Sequence, residues 1–251
     1  MLEKSSPALP RYGGDCRLGL IVPSLNVTIE PEFNYAAPAG VSIYATRLMM
    51  KKGTRKDLEA MAEDTEKACN MLETAKVGAI LYACTTGSLI GGKKWEKELE
   101  QRMRSSVAVP VLTTAGAVVE SLREMKLSKV AVGTPYAREL NDAEEKFLEE
   151  NGFVVTKIKG MNIINGEDLH AKSPETSVKL AKEVNSSDAQ GIFLSCTDLK
   201  TMTVLEGLER DLGKPVISSN AASLWKSMKV LKKESKLTGK ILGFGSLLER
   251  A

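Results

Sequence analysis

Short apolar segments alternate along the chain with longer segments in which apolar and polar residues are mixed. The apolar segments are mostly continuous runs, which is typical of strands in a parallel sheet that helices cover on both faces. Alternating strands and helices predict an α/β fold. The nine predicted strands span residues 18–22, 41–45, 79–83, 110–113, 129–133, 154–159, 191–195, 215–218 and 241–243.

The segments between the strands carry helical periodicity. In residues 140–151 a helical pattern runs up to Gly152, a residue type that commonly ends helices. Residues 56–72 place their apolar side chains on one helical face. The members of that face are Leu58, Met61, Thr65, Ala68, Cys69 and Leu72.

The same order of landmarks occurs twice along the chain. A proline follows an early strand in each half, Pro23 and Pro135, and a cysteine-threonine pair begins 61 residues later, at Cys84 and at Cys196. A Pro-Val strand then follows, 26 residues after the first cysteine and 19 after the second. We therefore predict two pseudo-symmetric α/β halves, each a mainly parallel sheet flanked by helices.

Composition excludes several classes of function. The chain has 35 basic and 32 acidic residues in mixed order, and aromatic residues make up 5%, which argues against nucleic-acid binding. No apolar stretch approaches the ~20 residues of a membrane span. Residues 1–15 form a polar arm without the apolar centre of a signal peptide. Four cysteines in such a chain predict free thiols and a cytoplasmic protein.

The sequence also lacks the usual cofactor motifs. It contains no C-x-x-C or H-E-x-x-H metal motif, and no phosphate-binding G-x-x-x-x-G-K-[ST] or strand-linked G-x-G-x-x-G. His170 is the single histidine, and its polar surroundings predict a loop or helix-end position. We expect no metal and no cofactor, so proton transfer would fall to Cys, Asp, Glu, Lys or Tyr.

Cys84 and Cys196 are the predicted chemical groups. Each follows an apolar strand, and ligands of parallel sheets bind beyond the carboxyl ends of the strands. A threonine after each cysteine suits a helix start, whose N–H groups bind anions and favour the thiolate. The alternative is that both thiols only fill the core. That alternative is our interpretation of Cys16 and Cys69.

Five separated motifs resemble the maleate cis-trans isomerases of the aspartate/glutamate racemase superfamily, to which arylmalonate decarboxylases are related. The resemblance covers residues 17–225 and implies that the C-terminal segment returns to the N-terminal half. It divides the chain into residues 1–116 with 222–251, carrying Cys84, and residues 117–221, carrying Cys196. The motifs lie at residues 23–30, 82–88, 134–136, 195–197 and 215–225.

The resemblance implies a reaction and a set of site residues. Cys84 would add to maleate to form a succinyl-cysteine, Cys196 would protonate the neighbouring carbon, and rotation followed by elimination would give fumarate. The expected partner is a small dicarboxylate substrate, and a homodimer is the candidate assembly. Carboxylates would be held by Asn26, Tyr136 and Asn165, with further donors from Thr85, Thr86 and Thr197.

Each binding residue also has a purely structural alternative. Asn26 could cap residues 27–32, and Tyr136 could belong to a turn after Pro135. The dipeptide of Asn165 and Gly166 is a strong turn signal. The threonines could cap helices and bind substrate at the same time.

The chain departs from the resemblance at three positions. Asp198 stands where the resemblance implies asparagine, and Leu25 and Val27 replace small or polar residues. A carboxylate pointing inward would repel a dianion, so we expect Asp198 to cap a following helix instead. The apolar spacing at residues 199, 202, 205 and 208 predicts that helix. These changes make the exact substrate an open question.

Two other functions fit the same residues. In a racemase or epimerase, one cysteine would remove an α-proton and the other would return a proton from the opposite face. A non-catalytic protein that binds a small carboxylate is the alternative from another class, although binding alone does not need two thiols. Arylmalonate decarboxylation fits less well, because that pattern keeps only the second cysteine.

Overall fold

The computed structural model describes residues 16–234, 237 and 241–251. The predicted polar arm at residues 1–15 lies outside the described residues. In the described part of the chain, no helix is long and apolar enough to cross a membrane.

The first half is built on a four-stranded sheet in the order β2-β1-β3-β4, with all strands parallel. Its strands are β1 (Cys16–Pro23), β2 (Val41–Leu48), β3 (Ala79–Tyr82) and β4 (Val111–Thr113). Its helices are α1 (Ile29–Ala36), α2 (Arg55–Glu63), α3 (Thr65–Thr74), α4 (Thr85–Leu89), α5 (Gly92–Ser106) and α6 (Thr114–Glu124).

The second half repeats this order as β6-β5-β7-β8, again with all strands parallel. The predicted α/β fold with two similar halves is therefore confirmed. The strands are β5 (Lys129–Thr134), β6 (Val154–Gly160), β7 (Gly191–Leu194) and β8 (Val216–Ser218). The helices are α7 (Arg138–Glu150), α8 (Gly166–His170), α9 (Pro174–Val184), α10 (Leu205–Leu212) and α11 (Ser219–Glu234), with 3₁₀ turns at Met202–Val204 and Leu248–Arg250.

The inner strands β1, β3, β5 and β7 are apolar along almost their whole length because both of their faces are covered, whereas the edge strands β2 and β6 keep exposed positions. In β1, Leu18 and Leu20 pack into a core cluster that extends into the second half, whereas Ile21 packs into a second cluster under α2 and α3. Strands with two buried faces have no solvated side that would need polar residues. This explains why continuous apolar runs located eight strands correctly.

The strand order creates one crevice in each sheet. The chain leaves β1 toward β2 on one side and then crosses over to β3 on the other, and β5, β6 and β7 repeat this path. Such a switch point opens a crevice beyond the carboxyl ends of the two central strands. The loops after β1 and β3, and those after β5 and β7, are therefore the expected ligand-binding loops.

Two further features join the halves: a buried carboxylate on α1 and the return of the last long helix to the first half. Glu32 on α1 accepts the backbone N–H groups of Thr201 and Met202 at 2.6 and 2.9 Å, and the amide of Asn220 at 2.6 Å. Helix α11 packs against α6, where Ser223 donates to the hydroxyl of Thr114 at 3.2 Å. The last long helix thus returns to the first half.

Two predicted elements differ from the structure. Residues 241–243 do not form a strand, because the left-handed backbone of Gly243 (φ 82°) and Gly245 (φ 91°) turns the chain repeatedly. Ile241 is apolar because it is buried in the core. The helical segment at residues 56–72 is two helices that meet at Asp64, although its predicted face is buried throughout.

Candidate active site

A cleft of about 290 Å³ lies between the two halves. It opens where the loops after β1, β3, β5 and β7 meet, as expected from the two switch points. All eight residues predicted for the site line it: Asn26, Cys84, Thr85, Thr86, Tyr136, Asn165, Cys196 and Thr197.

Cys84 begins the short helix α4, so the predicted helix start is confirmed. Its Sγ accepts the backbone N–H of Gly87 at 3.3 Å and lies 3.9 Å from the Thr86 hydroxyl. Burial nevertheless raises the pKa of the Cys84 thiol to about 11, because the loss of water outweighs these two interactions and Asp198 adds repulsion. The prediction that this setting favours a thiolate is therefore wrong, and the resting group is a thiol.

Cys196 lies in a different backbone environment. Its φ is 108°, a left-handed value that is rare for a residue with a side chain, and a turn follows it where the sequence predicted a helix start. Its Sγ accepts the N–H of Asp198 at 3.3 Å. Burial, followed by the charge of Asp198, holds the pKa of the Cys196 thiol well above its usual range. The predicted helix start and thiolate are both wrong here.

Ser219 connects the two cysteine loops and was not predicted as a site residue. Its hydroxyl accepts the backbone N–H of Cys196 at 3.0 Å and the hydroxyl proton of Thr85 at 2.9 Å. The serine is fully buried at the start of α11. Its only sequence signal was its place in the motif at residues 215–225, which does not indicate what a side chain contacts.

Asn26 has both the structural role and the location expected of it. Its Oδ1 accepts the N–H groups of Thr28 and Ile29 at 2.9 and 3.0 Å, which organises the entry to α1. Its Nδ2 donates to the Thr197 hydroxyl at 2.9 Å, and that hydroxyl donates to the carbonyl of Ala83 at 3.1 Å. The cap therefore also orients an amide in the wall of the cleft.

Tyr136 lies near Cys196 and near the buried carboxyl group of Glu144. Burial raises the pKa of Tyr136 well above its usual range, and Cys196 and Glu144 raise it further, so the phenol keeps its proton. Glu144 on α7 is fully buried, and burial raises its pKa to about 8. The nearby Ser195 lowers the pKa of Glu144 and so offsets part of the effect of burial. Neither carboxyl oxygen of Glu144 has a hydrogen-bond partner among the described residues.

Asn165 caps the short helix α8, and its Oδ1 accepts the N–H of Glu167 at 3.2 Å. The turn signal of Asn165 and Gly166 thus marks a helix start at the rim of the cleft. His170 is the last residue of the same helix, as its sequence surroundings predicted.

Asp198 does not cap a helix, so that prediction is wrong. The chain after it forms a turn and a 3₁₀ segment, and α10 begins only at Leu205. Its Oδ1 accepts the N–H of Val27 at 2.9 Å, and its Oδ2 lies 3.0 Å from Nε2 of His170. The carboxylate therefore belongs to the cleft lining, in contact with both halves.

The remaining lining combines apolar side chains with few charges. The charged lining residues are Arg55, Glu139 and Asp198, and Arg55 Nε lies 3.5 Å from Glu139. In the described ranges, no group of three or more His, Cys, Asp or Glu side chains is placed to hold a metal ion. The apolar lining includes Leu25, Met50, Leu58, Leu140, Ile163 and Leu169.

Known proteins resemble this chain over most of its length. The family model described as arylmalonate decarboxylase (Amdase) matches residues 18–242. A maleate isomerase of Nocardia farcinica is 28% identical over 225 residues, which cover 86% of this chain and 90% of that protein.

Solved structures agree with this relationship. The maleate cis-trans isomerase of Nocardia farcinica bound to TRIS has a TM-score of 0.86 at 27% identity, covering 94% of this chain and 98% of that one. A cysteine-to-serine mutant of that enzyme, with a covalently bound succinylcysteine intermediate, has a TM-score of 0.84 at 26% identity, with 94% and 99% covered. The predicted resemblance to maleate isomerases is confirmed, and the chain belongs to the arylmalonate decarboxylase family.

Proposed function

We propose that this protein is a cofactor-independent isomerase that converts maleate, or a related small unsaturated dicarboxylate, to the trans isomer through a succinyl-cysteine adduct. The observation that carries the proposal is the pairing of Cys84 and Cys196 at corresponding strand ends of one cleft. The related enzyme with a covalent succinylcysteine supports the same chemistry.

The surroundings of the two thiols support unequal roles. Cys84 receives the N–H of Gly87 at the start of α4, and such a contact stabilises negative charge on sulfur. Cys196 is held beside the carboxylate of Asp198, which opposes loss of its proton. Cys84 is therefore the nucleophile in our proposal, and Cys196 is the acid.

The two thiols exchange protons without an external base. The Cys84 sulfur bonds to one alkene carbon, while the neighbouring carbon takes the proton of Cys196. The proton released by Cys84 restores the thiol of Cys196, so one thiol proton ends on carbon. The former double bond is now single and rotates. In elimination Cys196 passes its thiol proton to the departing Cys84 sulfur and takes a carbon-bound proton in its place, so that the carbon–sulfur bond breaks and both cysteines end as thiols.

Donors around the thiols would stabilise the charge that develops during addition. Addition to an unsaturated dicarboxylate moves negative charge onto a carboxyl group, which preorganised donors stabilise. The first backbone N–H groups of α4, from Thr85 and Thr86, have no acceptor within the helix. The neutral phenol of Tyr136 and the amide of Asn26 are further donors in the cleft wall. Asn165 and Thr197 complete the set that we assign to carboxylate binding.

The division of the chain follows from the same proposal. We assign residues 1–116 with 222–251 to the half that supplies Cys84, and residues 117–221 to the half that supplies Cys196. The packing of α11 on α6 supports this division. The homodimer and the cytoplasmic location stay predictions.

A racemase or epimerase is the second candidate, and the presence of two thiols at matching positions favours it. Such an enzyme uses its thiols as interchangeable acid and base, so similar environments would suit it. Cys84 at a helix start and Cys196 in a left-handed turn beside a carboxylate are dissimilar. That difference supports addition and elimination.

The deciding experiment follows candidate substrates by proton NMR in D₂O. We expect the alkene signal of maleate to be replaced by that of fumarate without any added metal or nucleotide. Aspartate, glutamate and hydantoins are incubated in parallel. Exchange of their α-protons, with maleate unchanged, would favour the racemase and overturn the proposal. Cys84→Ala serves as the matched control.

A further inference from the structure

Asp198 presents a negative charge where the proposed substrate brings two more. Its carboxylate lines the cleft, its backbone N–H binds the sulfur of Cys196, and its charge raises the pKa of both thiols. Arg55, the cation among the lining residues, lies at hydrogen-bond or ion-pair distance from Glu59, Glu139 and the carbonyl of Ile90. A dianion beside Cys196 would therefore face an uncompensated carboxylate.

His170 is the group placed to compensate this charge. Its Nε2 lies 3.0 Å from Oδ2 of Asp198, and the two side chains are only 26% and 11% exposed. The other oxygen of Asp198 accepts the N–H of Val27, a neutral donor. Histidine is the side chain that most readily gains a proton near neutral pH. An imidazolium at this position would cancel the charge of Asp198 without occupying the cleft.

The side chain of Lys200 holds the C-terminal end of α8, where His170 lies. Lys200 Nζ donates to the carbonyl groups of His170 and Lys172, each at 2.8 Å. At the other end of the helix, Asn165 lies in the cleft wall. The pair of His170 and Asp198 thus ties α8 to the loop that carries Cys196.

We propose that His170, as an imidazolium paired with Asp198, neutralises this carboxylate and so allows the cleft to bind a dianionic substrate. The inference rests on the proposed function, since that function supplies the dianion. His170 acts through Asp198 and is a positioning residue, while Asp198 sets the charge that the substrate encounters. The pair takes the place of the neutral amide that the resemblance implies at position 198.

The test is a double-mutant cycle with steady-state kinetics on maleate. His170→Gln removes the cation, and we expect KM to rise about tenfold while kcat changes less than about twofold. Asp198→Asn retains an acceptor for Val27 and removes the charge together with the need to compensate it, so KM should stay near that of the wild type. In the Asp198→Asn background, His170→Gln should change KM less than about twofold. Asp168→Asn on the exposed side of α8 is the control for removing a nearby charge, with no change expected.

Binding separates a failure of this inference from a failure of the proposed function. In a Cys84→Ala background, calorimetry compares maleate with its monoanionic half-amide, and His170→Gln should weaken maleate more. If the enzyme turns over maleate but the effects of His170→Gln and Asp198→Asn on KM are additive, the charge compensation is wrong and the proposed function stands. Coupled binding of maleate without turnover would support the compensation and overturn the isomerase. Absence of maleate binding in every variant would overturn both.

Discussion

The amide of Asn26 donates a hydrogen bond to the hydroxyl of Thr197 at 2.9 Å, joining residues 171 positions apart in the chain. The same hydroxyl donates to the carbonyl of Ala83, directly before Cys84. One side chain therefore fixes the loop after β1 and the loop after β3 against the loop that carries Cys196. We expect the relative position of the two thiols to depend on this contact.

Thr197→Val removes that hydroxyl while nearly conserving side-chain volume. We expect kcat/KM to fall at least about tenfold, and the free energy of unfolding to fall by about 1–2 kcal/mol, because two buried partners lose their hydrogen bonds. Steady-state kinetics and urea unfolding measure the two effects. Thr197→Ser keeps the hydroxyl and should stay near the wild type. Full activity of Thr197→Val would show that the contact does not set the geometry of the site.

The proposed roles of the two cysteines predict different products after incubation with maleate. Cys196→Ala keeps the nucleophile and should accumulate a slowly formed adduct on Cys84, whereas Cys84→Ala should form none and be inactive. Intact-protein mass spectrometry with peptide mapping locates the adduct. Cys16 and Cys69 report the background rate of thiol alkylation. An adduct on Cys196 but not on Cys84 would reverse the assignment.

Gly87 is placed so that no larger residue fits beside Cys84, the proposed nucleophile. A Cβ at this position would lie 3.0 Å from Sγ of Cys84 and 2.9 Å from the hydroxyl of Tyr82. Gly87→Ala should displace the thiol, lower kcat at least about tenfold and destabilise the fold by about 1–3 kcal/mol. Gly207→Ala is the matched control, because its nearest neighbouring heavy atom is 3.9 Å away. Equal activity of the two variants would contradict the prediction.

The buried carboxyl of Glu144 predicts a dependence of stability on pH. Its pKa rises from 4.5 to about 8 on folding, so the native state binds more protons than the unfolded chain between these values. Its contribution to stability is therefore complete below pH 4.5 and is lost as the pH rises toward about 8. Glu144→Gln cannot ionise and should gain on the wild type by up to about 1 kcal/mol per pH unit in this window.

Chemical unfolding of both proteins at several pH values tests this expectation. Glu149→Gln changes an exposed residue of the same helix and should give the wild-type curve. If Glu144→Gln were no more stable than the wild type at pH 8, the carboxyl group would have to be satisfied by another interaction.

The features that could be predicted from the sequence are those that depend on local patterns of residues and on the internal repeat. Eight strands, the two-fold order of the chain and the gathering of Asn26, Tyr136 and both cysteines follow from apolar runs and matched spacing. Parallel sheets bring the ends of their strands to one edge, so landmarks after strands meet in space. The prediction of a ninth strand at residues 241–243 was wrong because Gly243 and Gly245 turn the chain there.

The missed features depend on partners far away in the chain. The apolar spacing after Asp198 indicated a helix, but the carboxylate bonds to Val27 and lies beside His170, which no local pattern reveals. The thiolate prediction considered the helix start at Cys84 and not the cost of burial, which dominates its pKa. Ser219 was missed for the same reason, since its importance comes from two loops that meet only in the folded protein.

At Cys196 the left-handed backbone favours glycine for stability, whereas the proposed chemistry requires a thiol. Conformations of this kind cost of order 1–3 kcal/mol for a residue with a side chain, and glycine adopts them freely. Cys196→Gly should therefore unfold at a higher temperature than Cys196→Ala, although both variants lack the thiol. Laboratory evolution that selected for heat resistance alone would move this position toward glycine and yield a more stable protein without its proposed proton donor.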